Sequence, residues 1–396
     1  MKCKITGNNI NTFMTFGRMP IANGFVNKEN FNKEYFFEME VGFNEDLSLF
    51  QLNDHPKPEK MFNENYPFFS GSSEFMKDHF KEYANFVKKS YLNSNSKIVE
   101  IGSNDGTFLK NFTDNKKNII GFEPSNNVAE IAKNNQIPIV NEFFNTENVS
   151  KLKKFLGNTD LVCASNVICH VPDLNNLVES IDLLLNKSGS FVFEEPYLGS
   201  MFDKVSYDQI YDEHIFMFSA TAIKNIFARY NFDLIDAIPQ TTHGGSMRYI
   251  IKRKNILPQT KNLINVLNNE KKIKLDKIDS CLNFKQNCLI SKEKINNKIN
   301  NLKENGKSIC GYGATSKSTT ILNYCGINSS HIDFICDTTK EKIGKYTPGT
   351  HIPVKDMNHF YNNHPDSIYL FAWNHKNEIL QKEKKFKGEW FSHVSL

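Results

Sequence analysis

A chain of 396 residues is too long for one ordinary hydrophobic core; at about 100 to 200 residues per domain it predicts two or three, and three is the reading adopted. Apolar residues at 39%, charged residues at 23% and 33 Phe describe a globular protein, and a net charge of +4 spread over scattered Lys implies no nucleic-acid or membrane partner, while an anionic small substrate stays compatible. No stretch approaches the roughly 18 to 20 apolar residues of a bilayer span, and the Met1-Lys2-Cys3-Lys4 start lacks a signal-peptide core, so the expected compartment is cytoplasmic.

Residues 1–85 are turn-rich, with an alternating run at Phe36-Phe37-Glu38-Met39-Glu40-Val41, and predict a small β-containing module without a large core of its own. Phe75, Phe80, Tyr83, Phe86 and Val87 recur at helical spacing over 75–91 and lead into a central domain, 86–257. There, strands are expected at 97–101, 118–123, near Val140, at 160–165 and at 190–194, with helices at 126–135 and 174–185. Such alternation predicts a doubly wound, mostly parallel α/β sheet. Residues 258–396 are expected to hold long helices to about 304 and then a Rossmann-like α/β unit, with strands at 308–312, 331–336 and 367–373.

Glu100-Ile101-Gly102-Ser103-Asn104-Asp105-Gly106 falls where the first central strand gives way to a helix. Its glycines permit a tight turn and close approach to a ligand, and its acids can bind hydroxyls or a cationic amino group. The ExGxxxG spacing differs from GxGxxG and argues against a pyrophosphate-binding dinucleotide site. Glu123, followed by Pro124 at the end of the second strand, is placed to take ribose hydroxyls. Tyr211-Asp212-Glu213-His214 packs three groups able to make or polarise a carbanion into four residues, and histidine, with an ordinary pKa near 6.5, can serve as a base at neutral pH. His243-Gly244-Gly245 reads either as a plain turn or as backbone amides brought close to a ligand. Gly311-Tyr312-Gly313-Ala314-Thr315-Ser316-Lys317 is not a Walker loop; contact with a diphosphate and a purely structural loop both remain open.

The acidic glycine turn with Glu123 resembles class I S-adenosylmethionine-dependent methyltransferases. The resemblance implies S-adenosylmethionine held by Glu100, Gly102, Asn104, Asp105 and Gly106 at its methionine part, Glu123 and Pro124 at its ribose, and Asn166 beside the methyl. Tyr211-Asp212-Glu213-His214, His170-Val171-Pro172-Asp173, His243-Gly244-Gly245-Ser246-Met247-Arg248, the 311–317 loop and Ala372-Trp373-Asn374 are together similar to the sugar C-methyltransferases of nucleotide-linked 4-keto-deoxysugars. That resemblance spans nearly the whole chain. It implies His214 as general base at C3, Glu213 orienting it or holding a hydroxyl, Tyr211 polarising the substrate, His170 stabilising the enolate and Tyr66 as a weaker candidate for proton donor. Substrate contacts are implied for His79, His243, Gly244, Gly245, Tyr312 and Lys317, and the setting would be biosynthesis of a surface polysaccharide or glycosylated product.

One departure concerns metal. The family's N-terminal module carries two CxxC pairs for zinc, but here the eight cysteines (3, 163, 169, 281, 288, 310, 325, 336) include no CxxC; Thr6, Asn44 and Leu47 stand near the missing positions and only Cys3 remains. No zinc is expected. Two further readings are methylation of an oxygen or nitrogen acceptor on the same scaffold, and a non-catalytic sugar-nucleotide-binding protein. A monomer and a homodimer both stay open.

Overall fold

The computed structural model describes all residues except 63–65, 67 and 396, and only the backbone of 113–117. Strands β1 (Asn11–Pro20), β2 (Phe36–Asn44) and β3 (Leu49–Leu52) form an antiparallel meander. The central strands are β4 (Ile98–Ile101), β5 (Ile119–Phe122), β6 (Ile139–Val140), β7 (Thr159–Ser165), β8 (Leu185–Pro196) and, beyond the short β9 (Phe216–Met217), β10 (Phe232–Gln240) and β11 (Ser246–Arg253). They lie in the order β10-β11-β8-β7-β4-β5-β6, parallel except for β11, which runs against both neighbours. Ile98, Val99, Leu161, Val162, Phe191 and Val192 are fully buried, as expected of strands covered on both faces. The order reverses between β4 and β7, and a ligand crevice opens at the carboxyl ends beside such a switch point.

The third sheet, β12 (Ile309–Tyr312), β13 (Phe334–Cys336), β14 (Val354–Lys355), β15 (Ser367–Leu370) and β16 (Glu389–Phe391), is parallel in the order β14-β13-β12-β15-β16. Two helices, Lys261–Lys272 and Ile278–Glu304, lead to it as expected. The expected boundary at 85 divides the Glu74–Tyr91 helix, whose buried Met76, Phe80, Tyr83 and Val87 pack with Ile98, Phe108 and Val192, and whose Tyr83 hydroxyl donates to the Val192 carbonyl at 2.7 Å. The whole helix therefore belongs to the central domain. Unforeseen elements include β1, β9, β10, β11, β14, β16 and the Thr146–Leu156 and Ala220–Ala228 helices. Among the described residues no helix is long and apolar enough to cross a membrane.

The N-terminal sheet buries its apolar face against the C-terminal region. Phe13, Met19, Met39 and Phe50 share one core with Phe284, Cys288, Ile321 and Leu322. Along the Ile278–Glu304 helix the buried residues Cys281, Phe284, Cys288, Ser291, Ile295, Ile299 and Leu302 recur every three or four positions, a continuous seam. Phe284 stacks on Phe202 at 4.4 Å, and Phe202 meets Phe50 edge-on at 6.3 Å. Phe284→Ala is expected to cost about 3 to 5 kcal/mol, measured as a lower midpoint in chemical denaturation; an unchanged midpoint would show that the seam does not hold the modules together.

Candidate functional site

At the end of β4, Gly102 (φ 65°) turns the chain; a Cβ there would lie 2.4 Å from a Val167 methyl, so glycine alone lets the loop after β7 close on this turn. Asn104 and Asp105 spend much of their polarity on a neighbouring segment. Asn104 Oδ1 accepts from the Ser70 amide at 2.9 Å, its Nδ2 donates to the Phe68 carbonyl at 3.1 Å, and Asp105 Oδ2 accepts from the Gly71 amide at 2.8 Å. The 68–71 segment is thereby tied across the acidic loop. Glu123 Oε2 accepts from the Asn104 amide at 3.0 Å and Oε1 from the Ser125 amide at 2.8 Å, which leaves lone pairs for ligand hydroxyls.

Gly102, Asn104, Glu123, Pro124 and Asn166 border a cavity of about 1090 Å³; Glu100, Asp105 and Gly106 do not. Gly106 is packed by Ala132 and Ile137. Glu100 is buried behind the loop with Oε2 unpartnered, and burial holds its carboxyl well above the usual range, with Asp105 and Glu123 adding to the effect. Asn166, at φ 55°, has an unpartnered buried Oδ1. The unpartnered Asn166 oxygen and the Glu123 carboxylate with free lone pairs, both on the cavity with Glu100 buried behind them, fit a cationic, hydroxyl-bearing group such as S-adenosylmethionine.

Across the cavity lies the turn 211–214. The Gln209 carbonyl takes a hydrogen bond from His214 Nδ1 at 2.7 Å; since a carbonyl only accepts, Nδ1 carries the proton and Nε2 offers a lone pair, which the Tyr211 hydroxyl engages at 2.8 Å. Burial first, then His170, with His243 and Lys317 adding, pushes the His214 pKa well below its ordinary value, so the ring is neutral. Glu213 Oε1 accepts from Asn23 Nδ2 at 2.7 Å, and Oε2 lies 3.5 Å from the Tyr66 hydroxyl. Burial raises Glu213, while Asn23, Lys342 and Tyr66 oppose the rise.

His170 stacks on His214 at 5.3 Å and on Phe62 at 5.6 Å; its Nε2 has no partner, and burial pushes its pKa down to about 4. The loop carrying it is shaped by Glu195, whose Oε1 accepts from the Val167 and Ile168 amides at 3.0 and 2.6 Å. Cys169 Sγ and one nitrogen each of His170 and His214 lie within 4.8 Å of one another, a grouping of metal-ligand type. Both His214 nitrogens are already engaged, however, and burial pushes the Cys169 thiol up, which disfavours the thiolate a metal requires.

His243, Lys317, Tyr66, Tyr211, Glu213, His214 and His170 all border the cavity. Four expected substrate contacts are corrected. His79 Nε2 pairs with Glu194 Oε2 at 2.6 Å, Arg248 holds the other carboxylate oxygen at 2.5 Å, and the trio is buried away from the cavity. The Glu194 carboxylate, itself anchored by Arg248, holds His79 inside the sheet packing. Tyr312 donates to Glu383 at 2.9 Å and packs against Phe360 inside the C-terminal core. Gly244 and Gly245 do not border the cavity either: their φ values of 81° and 129° form a turn onto which Trp373 packs, and a Cβ on Gly244 would come within 2.1 Å of the indole. Lys342 and Asn23 also reach the cavity. Neither stands in a recognisable motif; Lys342 is one lysine among many scattered ones.

Three family models match in succession: a zinc binding domain over residues 3–62, a methyltransferase domain over 73–237 and a C-methyltransferase C-terminal domain over 241–394. C-methyltransferase NovU of Streptomyces niveus is 25% identical over 376 residues, 94% of this chain and 89% of its own. Among solved structures, a SAM-dependent methyltransferase from Anabaena variabilis is 16% identical, covering 45% of this chain and 95% of that one at a TM-score of 0.32. One from Clostridium acetobutylicum is 11% identical, covering 47% and 94% at 0.36. A closed zinc site takes four N or S ligands, whereas residues 3–62 contain one cysteine, Cys3, and one histidine, His55. Cys3 packs among Ile5, Ile10, Leu47 and Leu49, the Asn44 side chain closes the second turn by accepting from the Leu47 amide at 2.8 Å, and His55 bonds the Pro56 carbonyl. These residues do not fit a zinc site. With the methyltransferase domain and the C-methyltransferase C-terminal domain matched in order over a class I sheet, this chain is an S-adenosylmethionine-dependent methyltransferase, similar along nearly its whole length to a C-methyltransferase.

Proposed function

We propose that this methyltransferase acts at C3 of a nucleotide-linked 4-keto-deoxysugar, with His214 as general base and a zinc-free N-terminal module. The observation that carries the reading is the His214 imidazole: its tautomer is locked by the Gln209 carbonyl, and it borders the same cavity as Gly102 and Glu123. At about 1090 Å³ the cavity is at the top of the range for a single ligand and leaves room for an acceptor beside the cofactor.

A hydrogen on carbon beside a ketone can be removed at neutral pH when the enolate oxygen is stabilised. His214 Nε2 takes that proton as the Tyr211 hydroxyl turns from Nε2 to the ketone oxygen, so one rotation frees the base and supplies an oxyanion donor. His170, neutral and with Nε2 unpartnered, is a second donor for that oxygen. Glu213, steadied by Asn23, receives a sugar hydroxyl, and Tyr66 beside it is placed to move a proton. S-adenosylmethionine supplies an electrophilic sulfonium methyl when bound. Glu123 and Pro124 would hold its ribose and Gly102, Asn104 and Asn166 its methionine side, with Asp105 bracing the 68–71 segment behind them. For the transfer itself the protein provides distance and alignment.

His214→Asn is expected to lower turnover by about 10²- to 10⁴-fold and to abolish deuterium wash-in at C3 from heavy water, while affinity for S-adenosylhomocysteine stays unchanged; an active variant removes His214 from the role. NMR of the product should show the new methyl on a ring carbon, and a methoxy signal would move the chemistry to oxygen. Because the base works unprotonated and its pKa is lowered, activity is lost only as pH falls through that depressed value. kcat/KM should therefore be level from about pH 6.5 upward into the neutral range, and an acid limb centred at or above 6.5 would contradict the assignment.

A further inference from the structure

His214 offers a lone pair at Nε2 only while its proton sits on Nδ1, and the Gln209 carbonyl at 2.7 Å is the acceptor that keeps it there. A peptide unit is planar, so that carbonyl points wherever the residues on either side of it are held. Gln209 ends the short buried turn Tyr207–Gln209. Its local support is two bonds to Ser206: the Gln209 amide donates to the Ser206 carbonyl at 3.1 Å, and Gln209 Nε2 to Ser206 Oγ at 2.9 Å.

The C-terminal domain holds the rest of the turn. Asp208 is buried; its Oδ2 accepts from Trp373 Nε1 at 2.6 Å, and its Oδ1 lies 3.2 Å from His393 Nε2. His393 Nδ1 in turn lies 3.1 Å from the Tyr369 hydroxyl. Burial by itself would raise the Asp208 carboxyl, but His393, Lys317 and Trp373 outweigh it and hold the group below its ordinary value. An ionised Asp208 makes the indole bond charge-assisted, hence strong and directional. On the other side of Gln209, the Ile210 carbonyl accepts from Thr320 Oγ1 at 2.8 Å. The Tyr207 ring meets His393 at 5.1 Å and Tyr324 at 5.5 Å. Tyr207, Asp208 and Ile210 are thus gripped by one domain, and the residue between them touches the imidazole. Asp208, Trp373 and His393 do not border the cavity, so any effect they have on the chemistry passes through Gln209.

We propose that Asp208, held by Trp373 and His393, is a positioning residue for the base: it aims the Gln209 carbonyl at His214 Nδ1 and makes the docked C-terminal domain a condition of proton abstraction. The proposal rests on the reading of His214 as general base.

Nitrogen-15 NMR of the full chain labelled at histidine tests it, with the His214 signals identified by their loss in His214→Asn. Wild-type protein should show the proton on Nδ1. Trp373→Phe keeps a ring beside Gly244 but removes the indole donor, and Asp208→Asn keeps the side chain's shape but removes its charge. Each should move His214 to a mixture of the Nδ1–H and Nε2–H forms and lower kcat by about 10- to 100-fold, with KM and S-adenosylhomocysteine affinity unchanged. Should one variant fail to fold, the other carries the test. A His214 that stays wholly Nδ1–H, or a loss confined to KM, overturns the proposal. Full turnover by His214→Asn together with a shifted tautomer in the other variants would sink the base assignment and leave the hold on the imidazole standing. An inactive His214→Asn with an unmoved tautomer would do the reverse.

Discussion

The site depends on two residues of backbone pairing: Met217 and Phe216, in β9, bond to Phe50 and Gln51 of the N-terminal sheet, and the Leu52 amide reaches the Ile215 carbonyl at 2.7 Å. The chain leaving His214 is thereby fastened to another module. On its other flank, Asp212 accepts from the Ala22 amide at 2.8 Å, while Thr319 and Thr320 of the Ser316–Cys325 helix donate to the Ala22 and Ile210 carbonyls, each at 2.8 Å. A turn outside any helix or sheet must have its buried polar groups satisfied by something. Here three modules supply the partners, so the 211–214 turn takes its shape only when all three are docked.

That docking explains the distribution of charge along the cavity. At the end formed by the central sheet, Glu123 borders the cavity with Glu100 buried behind the loop, and burial pushes both up, a setting that favours a cationic ligand beside Glu123. At the opposite end Lys317 and His243 are buried and pushed down, His243 to about 3, a setting that favours an anion. His214 also borders the cavity, and burial, with His170, His243 and Lys317 adding, keeps it neutral. In the proposed reaction, opposite electrostatic settings at the two ends would orient a positively charged donor on one side and a negatively charged acceptor on the other, with His214 between them.

The N-terminal module reaches the same docked state through apolar packing. Cys3, Ile5, Leu47 and Leu49 fill the space between its turns, and Phe13, Met19 and Phe50 continue into the seam along the Ile278–Glu304 helix. A metal clip mainly closes loops in a module too small to hold itself. Burial against a 27-residue helix gives this module an alternative source of stability.

The sequence by itself determined the local chemistry and the local periodicities. Glu100 to Gly106 after an apolar strand, Glu123 at the next strand end, the run 211–214 and the missing cysteines were all legible because each is a contiguous pattern tied to one turn or one strand. Which of those residues share a cavity was decided only by tertiary structure. His79 was diverted to Glu194, 115 positions away in the chain and itself held by Arg248, and Tyr312 was claimed by Glu383. Lys342 and Asn23 entered the site from segments with no motif. The strands β10 and β11, and the domain boundary ahead of Glu74, were likewise settled by long-range pairing and packing. The physical reason is the same throughout: a side chain's type and its neighbours in sequence set what it can do, but burial and the partner across the interface decide whether that capacity faces a ligand or is satisfied inside the protein.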